Sequence, residues 1–165
     1  MERETIKNIL DFLKEKENKP LPFYFMDKYN IIKALENHPD NVKCVTNKSL
    51  FLSESNIEKL PNILHVRGDL WLNNCKQLTE LPDNLYVYGS LMLEDNKQIN
   101  KLPNTLFVAG DLWLIKTNIE KLPKQIFVAG QLSIRDTPLA DKYTDEQLYE
   151  IAASTGGGIK EKIKR

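Results

Sequence analysis

The sequence predicts an α/β solenoid, a short stack of coils built on a parallel β-sheet and closed by helices at both ends. Three observations carry this expectation. Leu-Pro recurs at 60, 81, 102 and 122, with spacings of 21, 21 and 20, and glycines at 68, 89, 110 and 130 keep the same spacings. After each glycine comes a Leu-x-Leu or Leu-x-Ile pair, the period of a strand. Outside the repeats the apolar residues switch to helical spacing. The 165 residues divide accordingly into a helical N-terminal cap over 1–41, a solenoid over 42–141, and a C-terminal helix with a basic tail over 142–165.

At the start of the chain, Ile6, Ile9, Leu10 and Leu13 follow i, i+3, i+4, i+7 spacing and predict an amphipathic helix over 3–17. After Lys19-Pro20-Leu21-Pro22 a second helix is expected over 27–37, with Asp27 at its start and Pro39 ending it. Both should cover the first coil, because a repeat stack leaves two apolar ends that need closing.

The coils follow as LPNILHVRGDLWLNNCKQLTE, LPDNLYVYGSLMLEDNKQINK, LPNTLFVAGDLWLIKTNIEK and LPKQIFVAGQLSIRDTPLAD, preceded by a partial copy, SLFLSESNIEK. Each proline fixes φ and lacks a donor, so it begins an extended or turning side. Each glycine allows a bend, a bulge or a close backbone approach. The pairs Leu50/Leu52, Leu70/Leu72, Leu91/Leu93, Leu112/Leu114 and Leu132/Ile134 set strands side by side, and Ile57, Leu78, Ile99, Ile119 and Leu139 close the core behind them. Copies one and two carry one extra residue after the strand, so Lys76-Gln77 and Lys97-Gln98 should stack as a small bulge. Beyond the repeats, Thr144-Asp-Glu-Gln147 has capping-box form ahead of Leu148, Ile151 and Ala152, and Gly156-Gly157-Gly158 stops that helix. The tail, IKEKIKR, is expected to be a solvated basic end.

The pattern resembles the leucine-rich repeat family, whose strand segment reads LxLxxNxL. Leu112-x-Leu114-x-x-Thr117-x-Ile119 is similar to it, as are the stretches from Leu50 to Ile57 and from Leu132 to Leu139. The resemblance covers 42–141 and implies that Ser55, Cys75, Asn96, Thr117 and Thr137 take the family's inward asparagine position, tying down turn backbone. It also implies a strand-lined binding face. Compact repeats of this LPxxLxVxGxLxL type resemble those of small bacterial and bacteriophage proteins, so an inhibitor of a host factor is one expectation.

Composition and motifs argue against most chemistry. Lys plus Arg and Asp plus Glu each total 23, so the net charge is zero and no general nucleic-acid or anionic-membrane binding is expected. No signal peptide or membrane span is expected, and two cysteines cannot frame a disulfide fold, which points to a reducing, cytoplasmic setting. His38 and His65 lie in no metal-ligand spacing, and neither a nucleophile elbow nor a phosphate loop is present, so no cofactor and no enzymatic activity are expected. Asp69 and Asp111 share a column two rungs apart, roughly 10 Å, near the spacing of an inverting glycosidase pair. An aspartate beside a glycine bend more often serves backbone hydrogen bonds.

Parity then separates core from surface. The Leu/Val/Leu side repeats its apolar type in every coil and should be buried. The other side carries Phe51, Trp71, Met92, Trp113 and Ser133 in one column and His65, Tyr86, Phe107 and Phe127 in another, with Tyr88 and Ile115 on the same face. A column of large aromatics exceeds the usual apolar patch of a monomer. The expected partner-binding residues are Phe51, Trp71, Met92 and Trp113, flanked by Asp69, Asn73, Ser90, Glu94, Asp111 and Arg135, with Tyr86 and Phe107 as the weaker column. Another protein is the expected partner. Carbohydrate binding through Trp71 and Trp113, self-assembly through the strip, and burial of the second column as another core layer stand as alternatives.

Overall fold

A computed structural model describes residues 27–154 and 156–165. It is a parallel β-solenoid, and each coil contributes to two sheets rather than one. The first sheet is ordered β1 (Cys44–Thr46), β3 (Ile63–Val66), β5 (Asn84–Val87), β7 (Thr105–Val108), β9 (Gln125–Val128) and β11 (Gly158–Ile159). The second is ordered β2 (Leu50–Phe51), β4 (Leu70–Trp71), β6 (Leu91–Met92), β8 (Leu112–Trp113), β10 (Leu132–Ser133) and β12 (Ile163–Lys164). The expected single sheet is therefore the second of the pair. The segment before each glycine, Leu-x-Val in most coils, forms its own ladder.

Parity assigns the core correctly. Leu106, Val108, Leu112 and Leu114 are buried, and so are their equivalents in the coils from Cys44 to Ile134. Each fully buried leucine stabilises the stack by about 1.5–3 kcal/mol, and the repeat spacing aligns these gains in rows. Ile57, Leu78, Ile99, Ile119 and Leu139 join the same core from the return side.

The glycines turn out to serve close approach. A Cβ on Gly110 would lie 2.8 Å from the Gly89 carbonyl carbon, and one on Gly130 would lie 2.8 Å from the Gly110 carbonyl oxygen. The Gly89, Gly110 and Gly130 N–H groups donate to the preceding glycine's carbonyl at 3.1, 2.9 and 3.0 Å. Left-handed backbone lies elsewhere in the coil, at Glu54, Asn74, Asp95, Lys116 and Asp136, with φ between 54° and 58°. Three of these five are Asn or Asp, which tolerate that conformation best.

Helix α1 (Lys28–Glu36) follows the sequence reading closely. The Asp27 side chain accepts from the Asn30 N–H, and Ile32 and Leu35 join the core. Of the two N-terminal helices expected, this is the one that the described residues hold before β1. The helix expected over 3–17 lies outside the described residues. After the repeats come α2 (Pro138–Lys142) and α3 (Asp145–Ser154). The capping box forms, with the Thr144 N–H donating to Gln147 Oε1 at 2.9 Å and the Gln147 N–H donating to Thr144 Oγ1 at 3.3 Å.

The basic tail needs correction. It adds a further coil to the stack. Ile159 pairs beside Val128 and Ile163 beside Leu132, so the tail repeats the four-residue step from Val128 to Leu132. Arg165 then binds the helices, with Nε on Asp145 Oδ1 at 2.7 Å and Nη2 on the Tyr143 carbonyl at 2.5 Å. Apolar residues at the repeat's own register outweigh the charge between them.

Candidate functional site

Two columns of outward side chains are the candidate site, and the corner at the glycines places them on different sheets. On the first sheet, in-register pairing puts His65, Tyr86, Phe107 and Phe127 on neighbouring strands. His65 stacks on Tyr86 with ring centroids 4.4 Å apart, and Phe107 stacks on Phe127 at 5.1 Å with planes 7° apart. Tyr88 sits against Phe107 at 5.6 Å and is 50% exposed. The column is half-buried and faces outward, so it is not a second core layer. Tyr86 and Phe107 therefore do not share a surface with the tryptophans.

On the second sheet, pairing aligns Phe51, Trp71, Met92 and Trp113. Phe51 packs edge-on against Trp71 at 5.2 Å. Exposure falls along the strip, from 61% at Phe51 to 5% at Ser133. Ser133 is small and lies between Trp113 and Lys164, whose larger side chains overshadow it. Ile115, expected on the open face, is buried. Its column neighbours, Glu94 and Arg135, are both longer.

The polar flanks hold backbone, as an aspartate beside a glycine bend commonly does. Ser49 Oγ accepts from the Asp69 N–H at 2.9 Å, Asp69 Oδ1 from the Ser90 N–H at 2.8 Å, Ser90 Oγ from the Asp111 N–H at 3.1 Å, and Asp111 Oδ1 from the Gln131 N–H at 2.8 Å. Each side chain holds the next coil at its corner. Asn73 Oδ1 likewise accepts from the Glu94 N–H at 3.1 Å. Asp69, Asp111 and Asn73 thus fasten the backbone of the next coil.

The inward polar column also serves structure. Asn96, fully buried, accepts from the Cys75 N–H at 2.9 Å and donates to the Leu72 and Leu93 carbonyls at 2.8 and 2.9 Å. Thr117 and Thr137 donate to the Leu114 and Ile134 carbonyls at 2.7 and 2.6 Å. Cys75 donates through Sγ to the Leu52 carbonyl at 3.1 Å, and burial pushes the Cys44 thiol up to about 12. Neither sulfur is placed for nucleophilic work. In the bulge, Gln98 Nε2 bonds the Cys75 and Leu78 carbonyls at 2.7 and 3.0 Å.

Sequence reasoning missed the charges around the first column. Lys43, Val45, His65, Arg67 and Tyr88 line one open recess at its end. Burial first, and the Lys43 charge second, hold the His65 imidazole below its usual pKa. The missing signal was parity again: Lys43 and Arg67 stand two residues before Val45 and two after His65, on the outward side of their strands.

Fold and site together define a parallel β-solenoid that displays two aromatic columns. No protein-family model, curated protein or solved structure matches the chain. Among the described residues, no cluster of His, Cys, Asp or Glu could hold a metal, and no helix is long and apolar enough to cross a membrane.

Proposed function

We propose that the chain is a non-enzymatic protein-binding module whose primary contact is the strip Phe51, Trp71, Met92 and Trp113. The observation that carries this is an apolar column held outward on a hydrogen-bonded ladder, with Phe51 61% exposed at its open end. Such a surface is pre-organised, so little side-chain freedom is lost on binding. Trp and Met are also the residue types enriched where partners meet. We further read the coils as leucine-rich repeats. Asn96, Thr117 and Thr137 support this, each buried and bonded to turn carbonyls at the family's asparagine position.

The test is affinity capture from the protein's own cell, with wild type compared against Trp71→Ala/Trp113→Ala. A hot-spot tryptophan contributes about 2 kcal/mol or more, so the double variant should stay folded and lose its partner. Retention of every captured protein overturns the proposal. Glycan binding by the wild type points to carbohydrate recognition instead, and dimerisation lost in the variant points to self-assembly.

A further inference from the structure

We infer that the outer face of the first sheet is a second docking surface, built for an acidic polypeptide segment with apolar residues between its carboxylates. This goes beyond the tryptophan strip and shares with it only the premise that the chain binds polypeptide.

The two outer faces differ in charge, which the zero net charge conceals. Among the described residues, the outward-parity positions of the first sheet carry no Asp or Glu, and the one acid directly beside a strand, the exposed Asp83 before Asn84, stands at the opposite parity and accepts from Asn104. At the outward parity the charged residues beside the strands are Lys43, Arg67 and Lys160, all cations. None of the three is ion-paired among the described residues, whereas Lys101 and Lys116 elsewhere on the coils pair with Glu80 and Asp95. The second sheet's outward side is mixed, with Asp69, Glu94 and Asp111 in its middle coils and Arg135 and Lys164 at its end.

The cations bracket the aromatic column. At one end Lys43 and Arg67 flank an open recess of about 660 Å³, with Val45, His65 and Tyr88 completing its lining. At the other end Lys160 Nζ lies 5.8 Å from the Phe127 ring centre. Burial first, and the Lys43 charge second, lower the His65 pKa at the first end.

The rings between suit an anion too. His65 against Tyr86, and Phe107 against Phe127, cover one another's faces, so their rims are left for a partner. An aromatic rim is the positive part of the ring quadrupole. The same stacking disfavours a single-stranded nucleic acid, which needs open ring faces for its bases. From β1 to β11 the sheet spans five strand intervals, roughly 24 Å, the reach of an extended segment of about seven residues. Carboxylates at the ends of such a segment would meet Lys43 and Arg67 on one side and Lys160 on the other, with apolar side chains over Tyr86 and Phe107.

The test is selection of a random dodecapeptide display library on the full chain, followed by affinity measurement of the recovered peptides. Expected are sequences with Asp or Glu on both sides of apolar residues. These should bind Lys43→Glu/Arg67→Glu about tenfold more weakly or worse, and Lys160→Glu more weakly as well, because charge reversal sets like charges together. Circular dichroism confirms the fold of each variant, and all three sites are exposed. Trp71→Ala/Trp113→Ala should bind the peptides as wild type does. The inference is overturned if no acidic excess is recovered, if the charge reversals leave affinity unchanged, or if oligo-dT displaces the peptides and binds more tightly. Binding lost only in the tryptophan variant overturns this face while supporting the strip.

Discussion

Asn96→Ala should be among the most damaging single changes in the solenoid. Asn96 is fully buried, and its amide makes its shortest bonds to three backbone groups: the Cys75 N–H and the Leu72 and Leu93 carbonyls. Truncation to alanine orphans all three, and each buried unsatisfied group costs about 1–3 kcal/mol. Allowing for partial relaxation, the loss should be roughly 3–6 kcal/mol. Asn96→Thr provides an internal scale. Thr117 and Thr137 each hold one carbonyl in the equivalent place, so threonine at 96 should recover part of the loss. The assay is urea unfolding, reading the midpoint at unchanged slope. A loss below about 1 kcal/mol for the alanine variant would refute the reasoning, because it would mean that water or a shifted turn satisfies those groups.

The remaining predictions concern pH and the added coil. His38 is buried, with Nδ1 on the Pro39 carbonyl at 3.1 Å and Nε2 buried without a partner. Burial lowers its pKa from 6.5, so the unfolded chain binds a proton more readily than the folded one. Stability should therefore be full above pH 6.5 and fall as pH drops below it. His65 shifts in the same direction, so urea midpoints from pH 8 to pH 5 should flatten in part with His38→Gln and further with His65→Gln. A slope unchanged by both substitutions rules the two histidines out. Arg165→Ala removes the bonds to Asp145 and to the Ala140 and Tyr143 carbonyls. At this exposed site the cost should be about 1 kcal/mol, seen as faster amide exchange in β12 and β10 with the middle coils unchanged. Unchanged exchange would show that the Ile159 and Ile163 register alone holds the coil.

Much of the stack is legible in the sequence because each coil repeats one mechanical problem. A leucine that must face inward does so in every coil, and period-2 parity separates Leu112 and Leu114 from Trp113 without coordinates. Thr117 and Thr137, each bonded to the carbonyl three residues back, and the capping box at Thr144 are local chemistry, readable at their own positions. Asp69 and Asp111 show the limit. Their type and their place beside glycine suggested backbone bonding, but their partners, Ser90 and Gln131, lie a coil away. The tail was misread because a run of lysines outweighed two isoleucines in composition, whereas in the stack only the isoleucine register decides.

By itself, the sequence determined the coil period, the core face and which large side chains point away from it. Those follow from residue type and spacing, which act within one coil. Only the tertiary structure decided that the glycine corner divides the outward residues between two sheets. It also decided that Phe107 and Trp113, six residues apart, belong to separate surfaces, and that the charges at outward parity on one of these surfaces are all cations. The direction of a corner and the sum of charges on a face depend on how coils stack. Stacking is set by close contacts such as Gly110 on Gly89, between residues that no local pattern pairs.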